Sequence, residues 1–234
     1  MLLNSEALKV GLIILCRYNS SRLPGKILLP INGKEVLLYI YERLQCSKYV
    51  ANIVLATSTE TDDDPIYNFC VKNKINCFRG SKENVAQRFL DCAIDNNFDY
   101  AVRVNGDNIL ADYQLIDWVT DNTIQNKCVF GSNAKDRTFP EGISVEVVKT
   151  DFYKAIISKF DTPRYFEHVM PYFYEHDLPN RYFYYRDKKE KLPKLALDSI
   201  DDFKFISAII EQMDQPHTTY LLEDILRLAN TIKD

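Results

Sequence analysis

A chain of 234 residues, 46% hydrophobic and 26% charged, is long enough to bury the core of one large domain. Its net charge of −4 argues against a nucleic-acid-binding surface. No apolar run is long enough for a membrane span, and the N-terminus lacks the basic start and long apolar region of a signal peptide. The six cysteines (Cys16, Cys46, Cys70, Cys77, Cys92, Cys128) form no Cys-x-x-Cys pair and read as reduced residues of a cytoplasmic protein.

Strand and helix patterns alternate through the first half. Strands are expected over 11–16, 53–57, 76–78 and 100–104, and helices over 35–46, 65–72, 84–96 and 113–122. Pro65 suits the first turn of its helix, with Asp64 as the expected cap. Val85, Phe89, Cys92 and Ala93 make one apolar stripe. Strand, helix, strand in series predicts right-handed crossovers and a mostly parallel sheet, whose ligands bind beyond the carboxyl ends of the strands. The second half predicts a strand over 143–148, a short helix over 151–159, an aromatic strand over 181–185, and amphipathic helices over 201–213 and 220–232. Ser199 is the expected cap of the first of these two. Nine Tyr or Phe residues crowd between Tyr165 and Tyr185, a composition that suits core or dimer interface.

Chemistry concentrates in Cys16-Arg17-Tyr18-Asn19-Ser20-Ser21-Arg22-Leu23-Pro24-Gly25-Lys26, directly after the first strand. Three cations, two serines and a Pro-Gly pair with no acidic side chain make an anion-binding loop at the sheet rim. Arg17, Arg22 and Lys26 supply charge, Ser20 and Ser21 supply directed donors, and Gly25 permits close backbone approach. Neither Gly-x-x-x-x-Gly-Lys-Ser/Thr nor Gly-x-Gly-x-x-Gly aligns with it. Asp107 follows the strand ending at Val104 and joins the same rim, where it is either a turn residue or, through its carboxylate, a ligand for a hard cation opposite a bound anion. Asp198, ending an alternating stretch before a helix cap, is a second candidate.

The loop resembles the signature of CTP-dependent sugar cytidylyltransferases, which include the 3-deoxy-manno-octulosonate and CMP-sialic acid enzymes, and above all their spore-coat polysaccharide type. Arg17, Ser20, Arg22-Leu23-Pro24-Gly25-Lys26, Gly33-Lys34 and Glu42-Arg43-Leu44 carry the match. Further segments follow in the same order: Ala56-Thr57-Ser58 with Asp63-Asp64-Pro65, Arg79-Gly80-Ser81 with Val85 and Arg88, Phe139-Pro140-Glu141-Gly142-Ile143-Ser144-Val145-Glu146, and Glu167-His168-Val169 with Pro171-Tyr172. Asp198-Ser199-Ile200-Asp201-Asp202-Phe203 resembles the family's second metal-binding motif. Two positions depart from the pattern: Asn108-Ile109 stands for the usual Cys-Pro, and Ser144 for an Asp.

The resemblance implies a Rossmann-like, glycosyltransferase-A-related α/β nucleotidyltransferase with a mixed, mostly parallel sheet. It implies one domain over 1–234, with an aromatic-rich dimerisation excursion around 137–187. The activity implied is transfer of CMP from CTP to a sugar acid of the 3-deoxy-2-keto type, with Mg²⁺ and release of pyrophosphate, in a cytoplasmic homodimer. Arg17, Arg22 and Lys26 are then catalytic, and Asp107 and Asp198 bind metal. Leu15, Ser20, Ser21, Gly25, Thr57, Ser58, Arg79 and Arg88 bind CTP, while Ser144, Glu146, Glu167 and His168 face the sugar. Transfer to a sugar or polyol phosphate, or nucleotide binding without turnover, are the alternatives.

Overall fold

The first strand, β1 (Val10–Leu15), is buried at every residue, as a strand covered on both faces must be. In the computed structural model, which describes residues 8–187 and 191–233, it is an interior strand of a seven-stranded sheet, flanked by two parallel strands. Elements follow in chain order. A short hairpin, β2 (Pro30–Ile31) and β3 (Lys34–Glu35), leads to α1 (Val36–Leu44), β4 (Ile53–Ser58), α2 (Asp64–Asn73), β5 (Cys77–Gly80), α3 (Val85–Asp95), β6 (Tyr100–Asn105) and α4 (Tyr113–Gln125). Then come β7 (Phe130–Ser132), β8 (Glu146–Lys149), α5 (Thr150–Ile156), α6 (Pro163–His168), α7 (Pro171–Glu175), β9 (Arg181–Phe183), α8 (Ile200–Glu211) and α9 (Leu222–Lys233).

The sheet order is β5-β4-β1-β6-β8-β7-β9, parallel except where β8 runs against β6 and β7. This is the mixed, mostly parallel α/β sheet expected. Residues alternate between two layers. Leu12, Ile14, Leu55, Val102 and Val147 meet α1, α2, α4, α8 and α9 through Leu37, Ile40, Phe69, Ile116, Ile206 and Ile225. Ile13, Leu15, Val54, Ala101 and Val148 meet α3, α5, α6 and α7 through Phe89, Tyr153, Tyr165 and Phe173.

Several boundaries differ from the sequence-based expectation for identifiable reasons. Strand β8 starts at Glu146 and not at 143, because the Val145 N–H donates to the Asn133 side chain (2.7 Å). Asp64 lies inside α2 and does not cap it; Asp63 precedes it, its carboxylate taken by other partners described below. The helices α6 and α7, the hairpin and β7 are all too short for periodicity to reveal. Ser199 does cap α8, in a reciprocal capping box with Asp202.

The aromatic segment largely covers the chain's own sheet. Phe173 stacks on Phe130 (ring centroids 4.6 Å apart) and on Tyr153 (5.8 Å), and Tyr165 and Tyr172 are buried with Phe160. Of the two readings of this segment, core accounts for Tyr165, Tyr172 and Phe173. Of the cysteines, Cys46 is exposed, Cys77 half-buried and the other four buried, all as free thiols. No helix among the described residues is long and apolar enough to cross a membrane.

One buried cation fastens the first layer. Arg43 of α1, fully enclosed, donates to the carbonyls of Ala111 (2.6 Å), Tyr220 (2.6 Å) and His217. Burial lowers its pKa to about 10, so it remains charged at neutral pH. Arg43→Met should cost about 3–5 kcal/mol, because one buried and two half-buried carbonyls lose their donor at once. Urea denaturation checks this, and a midpoint close to the parent's would show that the three bonds are dispensable.

Candidate active site

The carboxyl ends of β1 and β6 meet the start of the antiparallel β8 at one rim, with Leu15 beside Asn105 and Arg103 beside Glu146. The loop after β1 is held there by its backbone. Cys16 N–H donates to Ala56 (3.2 Å), and Gly25, left-handed at φ +69°, donates to the Tyr18 carbonyl (2.9 Å). Asp63 staples the loop to β4: one carboxylate oxygen accepts from Tyr18 N–H (2.7 Å), the other from the N–H (3.0 Å) and hydroxyl of Ser58. Burial pushes the Asp63 pKa up, but these bonds outweigh it and hold the carboxyl below its usual range. The loop opens onto a cleft of about 1040 Å³.

On the cleft floor, Lys26 joins three segments. Its ammonium donates to the Leu197 carbonyl (2.6 Å) and to Asp198 Oδ1 (3.1 Å), and lies 3.8 Å from Asp107 Oδ2. The Leu197 N–H in turn donates to the Asp107 carbonyl (3.0 Å), so the 195–198 segment lies along the turn after β6. Two glycines permit this crowding. A Cβ at Gly106 would lie 2.7 Å from the Cys16 Cβ, and one at Gly142 would lie 2.3–2.4 Å from the Leu195–Ala196 backbone. Gly142 also sits at φ +95°, a conformation that favours glycine. Asp198 is paired further with Arg22 (2.8 Å) and Lys194 (3.0 Å).

The two aspartates differ electrostatically. Burial raises the Asp107 pKa more than Lys26 lowers it, and Asp107 Oδ1 is enclosed without a hydrogen-bond partner. Burial also acts on Asp198, but hydrogen bonds from Lys194 and Lys26 prevail and hold it below the usual carboxylate range. A buried carboxylate oxygen with no donor, beside a second carboxylate, is a fitting partial coordination shell for a hard divalent cation. Mg²⁺ commonly takes one or two carboxylates and completes its shell with water and substrate phosphate. Among the described residues, no group of three or more His, Cys, Asp or Glu side chains is placed to hold a metal by itself.

The opposite wall is built on β8. Glu146, buried, binds Arg103 (2.6 Å) and accepts from the Tyr174 hydroxyl (2.7 Å), which also meets the Ser132 hydroxyl (2.7 Å). Arg103 donates as well to the His168 carbonyl (2.7 Å). That carbonyl also accepts from Met170 N–H (2.8 Å) across Val169, whose φ of +70° is a strained value for a β-branched residue. Glu167 reaches across the cleft mouth to Arg17 (3.4 Å).

Most of the expected residues converge here. Leu15, Arg17, Ser20, Ser21, Arg22, Lys26, Arg88, Asp107, Ser144, Glu146, Glu167, His168 and Asp198 all line the cleft. Gly25, Thr57, Ser58 and Arg79 do not. Arg79 is spent on the Ser58 carbonyl (2.8 Å), the Glu60 carbonyl (2.8 Å) and Asp64 (2.8 Å), and Ser58 on Asp63. Lys26 is also less exposed than a rim loop suggests, with 11% of its side chain accessible. Sequence reasoning missed Arg103, Tyr174 and Lys135 on the walls, and it offers Arg137 or Arg164 as the partner of Glu146, a place that Arg103 takes. Arg103, the lone charged residue of β6, carried the one readable signal.

The opposite pKa shifts predict opposite stability effects. A carboxyl raised in the fold contributes stability below its unfolded pKa, near about 3.9, and loses it as pH rises through the folded value. Asp107→Asn should therefore raise the thermal midpoint at neutral pH, with the gain vanishing in acid. A lowered carboxyl contributes stability above its unfolded pKa and loses it as pH falls through the folded value. Asp198→Asn should thus lower the midpoint at neutral pH. Thermal melts from neutral pH into acid check both signs, and two shifts in the same direction would refute the assignment.

Comparison with known proteins agrees with this geometry. A family model described as cytidylyltransferase matches residues 12–220. The chain is 31% identical over 213 residues to the spore coat polysaccharide biosynthesis protein SpsF of Bacillus subtilis, covering 86% of this chain and 85% of that one. It is 44% identical over 62 residues to the 8-amino-3,8-dideoxy-manno-octulosonate cytidylyltransferase of Shewanella frigidimarina, covering 26% of this chain and 25% of that one. The solved structure of a cytidylyltransferase from Leptospira borgpetersenii superposes with a TM-score of 0.89 at 31% identity, covering 97% of this chain and 94% of that one. The match takes in the cation-bearing loop, both aspartates and the β8 wall: the chain belongs to the cytidylyltransferase family and is a nucleotidyltransferase.

Proposed function

We propose that this cytidylyltransferase moves CMP from CTP to a hydroxyl of a sugar acid of the 3-deoxy-2-keto type, releasing pyrophosphate, in the synthesis of a surface polysaccharide. The observation that carries the reading is the convergence of Arg22 and Lys26 with Asp107 and Asp198 on one cleft floor. The octulosonate acceptor named for the Shewanella relative, and the polysaccharide role named for SpsF, support the acceptor class and the setting. In the reaction, the acceptor oxygen bonds to the α-phosphorus and loses its proton to solvent, the bond from the α-phosphorus to the oxygen shared with the β-phosphate breaks, and pyrophosphate leaves.

Positioning and charge neutralisation supply most of the catalysis in such a transfer. Arg17, Arg22 and Lys26 offset charge on the departing pyrophosphate. Lys26, pinned by the Leu197 carbonyl, presents its ammonium without reorganising. Asp107 and Asp198 would hold Mg²⁺, which when bound would neutralise phosphate charge and lower the pKa of the attacking hydroxyl. Glu146, fixed by Arg103 and Tyr174, offers a rigid acceptor wall for sugar hydroxyls.

The test is pyrophosphate release from CTP with Mg²⁺ and a panel of 3-deoxy-2-keto sugar acids, sugar phosphates and polyol phosphates. Release with sugar acids is expected; turnover with the phosphate acceptors alone would overturn the reading. CTP should stabilise the protein against heat more than UTP or ATP does, since a small pyrimidine pocket excludes purines and leaves polar groups unpaired against uracil.

Lys26→Ala should lower turnover by roughly 10²-fold or more, the size of one lost preorganised contact to developing charge. It should also lower the thermal midpoint, because the ammonium stitches the loop to the 195–198 segment. Asp107→Asn and Asp198→Asn should each abolish turnover, with the double variant no worse than either. Additive losses in single-turnover assays would separate the two carboxylates into independent roles.

A further inference from the structure

Eight basic residues line the cleft: Arg17, Arg22, Lys26, Arg88, Arg103, Lys135, Arg137 and Arg164. Six of them are already engaged. Arg17 pairs with Glu167, Arg22 and Lys26 with Asp198, Arg103 with Glu146 and Arg164 with Glu175. Arg88 is buried and donates to the Ser81 carbonyl (2.6 Å). Lys135 and Arg137 are left with no carboxylate partner among the described residues; Lys135 only lies over the Phe183 ring (4.4 Å). Both belong to the 133–145 excursion on the β8 side of the cleft, the side facing away from β4 and β5.

The backbone of that excursion is held at a cost. Asp136 (φ +57°) and Arg137 (φ +53°) are consecutive left-handed residues, neither of them glycine. Such conformations persist only where the surroundings impose them, and they cluster at functional sites. The imposing contacts are visible. The buried Asn133 side chain clamps the neck, donating to the Ile143 carbonyl (2.9 Å) and accepting from Val145 N–H (2.7 Å). Thr138 Oγ1 accepts from Arg186 N–H (3.1 Å), and Phe139 is buried. Asp136 and Arg137 are themselves exposed, so these contacts fix the turn from either side and hold its cations at the cleft wall.

We propose that Arg137, with Lys135, forms a second anion subsite in the cleft, separate from the loop after β1, which takes the anionic group of the acceptor. The chemistry is a planar carboxylate or a phosphate met by a guanidinium fork and an ammonium. The proposal rests on the reading of the cleft as a nucleotide-plus-acceptor site, and it assigns the acceptor's charge to named residues. Selection among acceptors would then lie in a strained, pre-set loop, while the CTP side is set by β1 and β6.

Arg137→Asn is the informative variant, because asparagine tolerates the left-handed conformation and removes only the cation. With an acceptor that the parent protein turns over, kcat/KM for that acceptor should fall roughly 10- to 100-fold, the worth of one charged hydrogen-bonding contact. CTP affinity should stay within about twofold. An unchanged kcat/KM for the acceptor would overturn the subsite. A second measurement does not depend on the acceptor's identity. In CTP-saturated protein, backbone amides over 134–138 should shift saturably in NMR titrations with pyruvate or inorganic phosphate, and roughly tenfold more weakly in Arg137→Asn. The stronger of the two anions identifies carboxylate or phosphate as the group recognised. Amides indifferent to both anions would overturn the proposal, even if the acceptor assay had already identified the substrate class.

Discussion

Much of this molecule's arrangement depends on satisfying one nearly enclosed ammonium. A buried cation must be paired and hydrogen-bonded or its desolvation penalty stands uncompensated. Lys26 meets that demand with the Leu197 carbonyl and the Asp198 and Asp107 carboxylates, which come from two distant parts of the chain. The Leu197–Asp107 backbone bond and the bare backbones of Gly106 and Gly142 let the three segments approach closely enough. The same contacts assemble the floor of the cleft, so the groups proposed to act in catalysis also tie distant segments of the fold together. The cluster is nonetheless unbalanced. Asp198 is saturated with donors, whereas Asp107 keeps an enclosed oxygen without one.

The two sides of the cleft are built on different principles. The side carrying the β1 loop follows from regular structure: parallel strands end at a common rim, and Asp63 ties the loop to β4. The β8 side is irregular, with left-handed Asp136, Arg137 and Val169 all on its walls. Rigid internal networks hold these conformations in place, among them Arg103–Glu146–Tyr174 and the Asn133 clamp.

Much of the site could be read from the residues. The cation-rich loop was legible because three basic residues with Pro-Gly after a buried strand have few structural uses, and Asp107 because it follows a strand ending at the same rim. Ser199 announced its cap through Asp202 three residues on. Thr57, Ser58 and Arg79 share the rim by sequence, yet Arg79 and Ser58 face backbone carbonyls and Asp63 instead of the cleft. Strand-end position says which rim a residue joins, but not which neighbour claims its side chain. The aromatic segment shows the same limit. Nine rings suit core or interface equally by composition, and only the fold shows Phe130 and Tyr153 receiving Phe173.

The sequence by itself determined the alternation of strands and helices, the parallel core and the chemistry of the loop after β1, because these rest on local periodicity and composition. Tertiary structure alone decided which charges are spent and which are free. Arg103, Arg164 and Arg137 are chemically alike as letters, but only the fold gives the first two carboxylate partners and leaves Arg137 without one among the described residues. It likewise decided that two aspartates of equal intrinsic acidity shift in opposite directions. Pairing and desolvation depend on distances between segments far apart in the chain, and no local pattern encodes them.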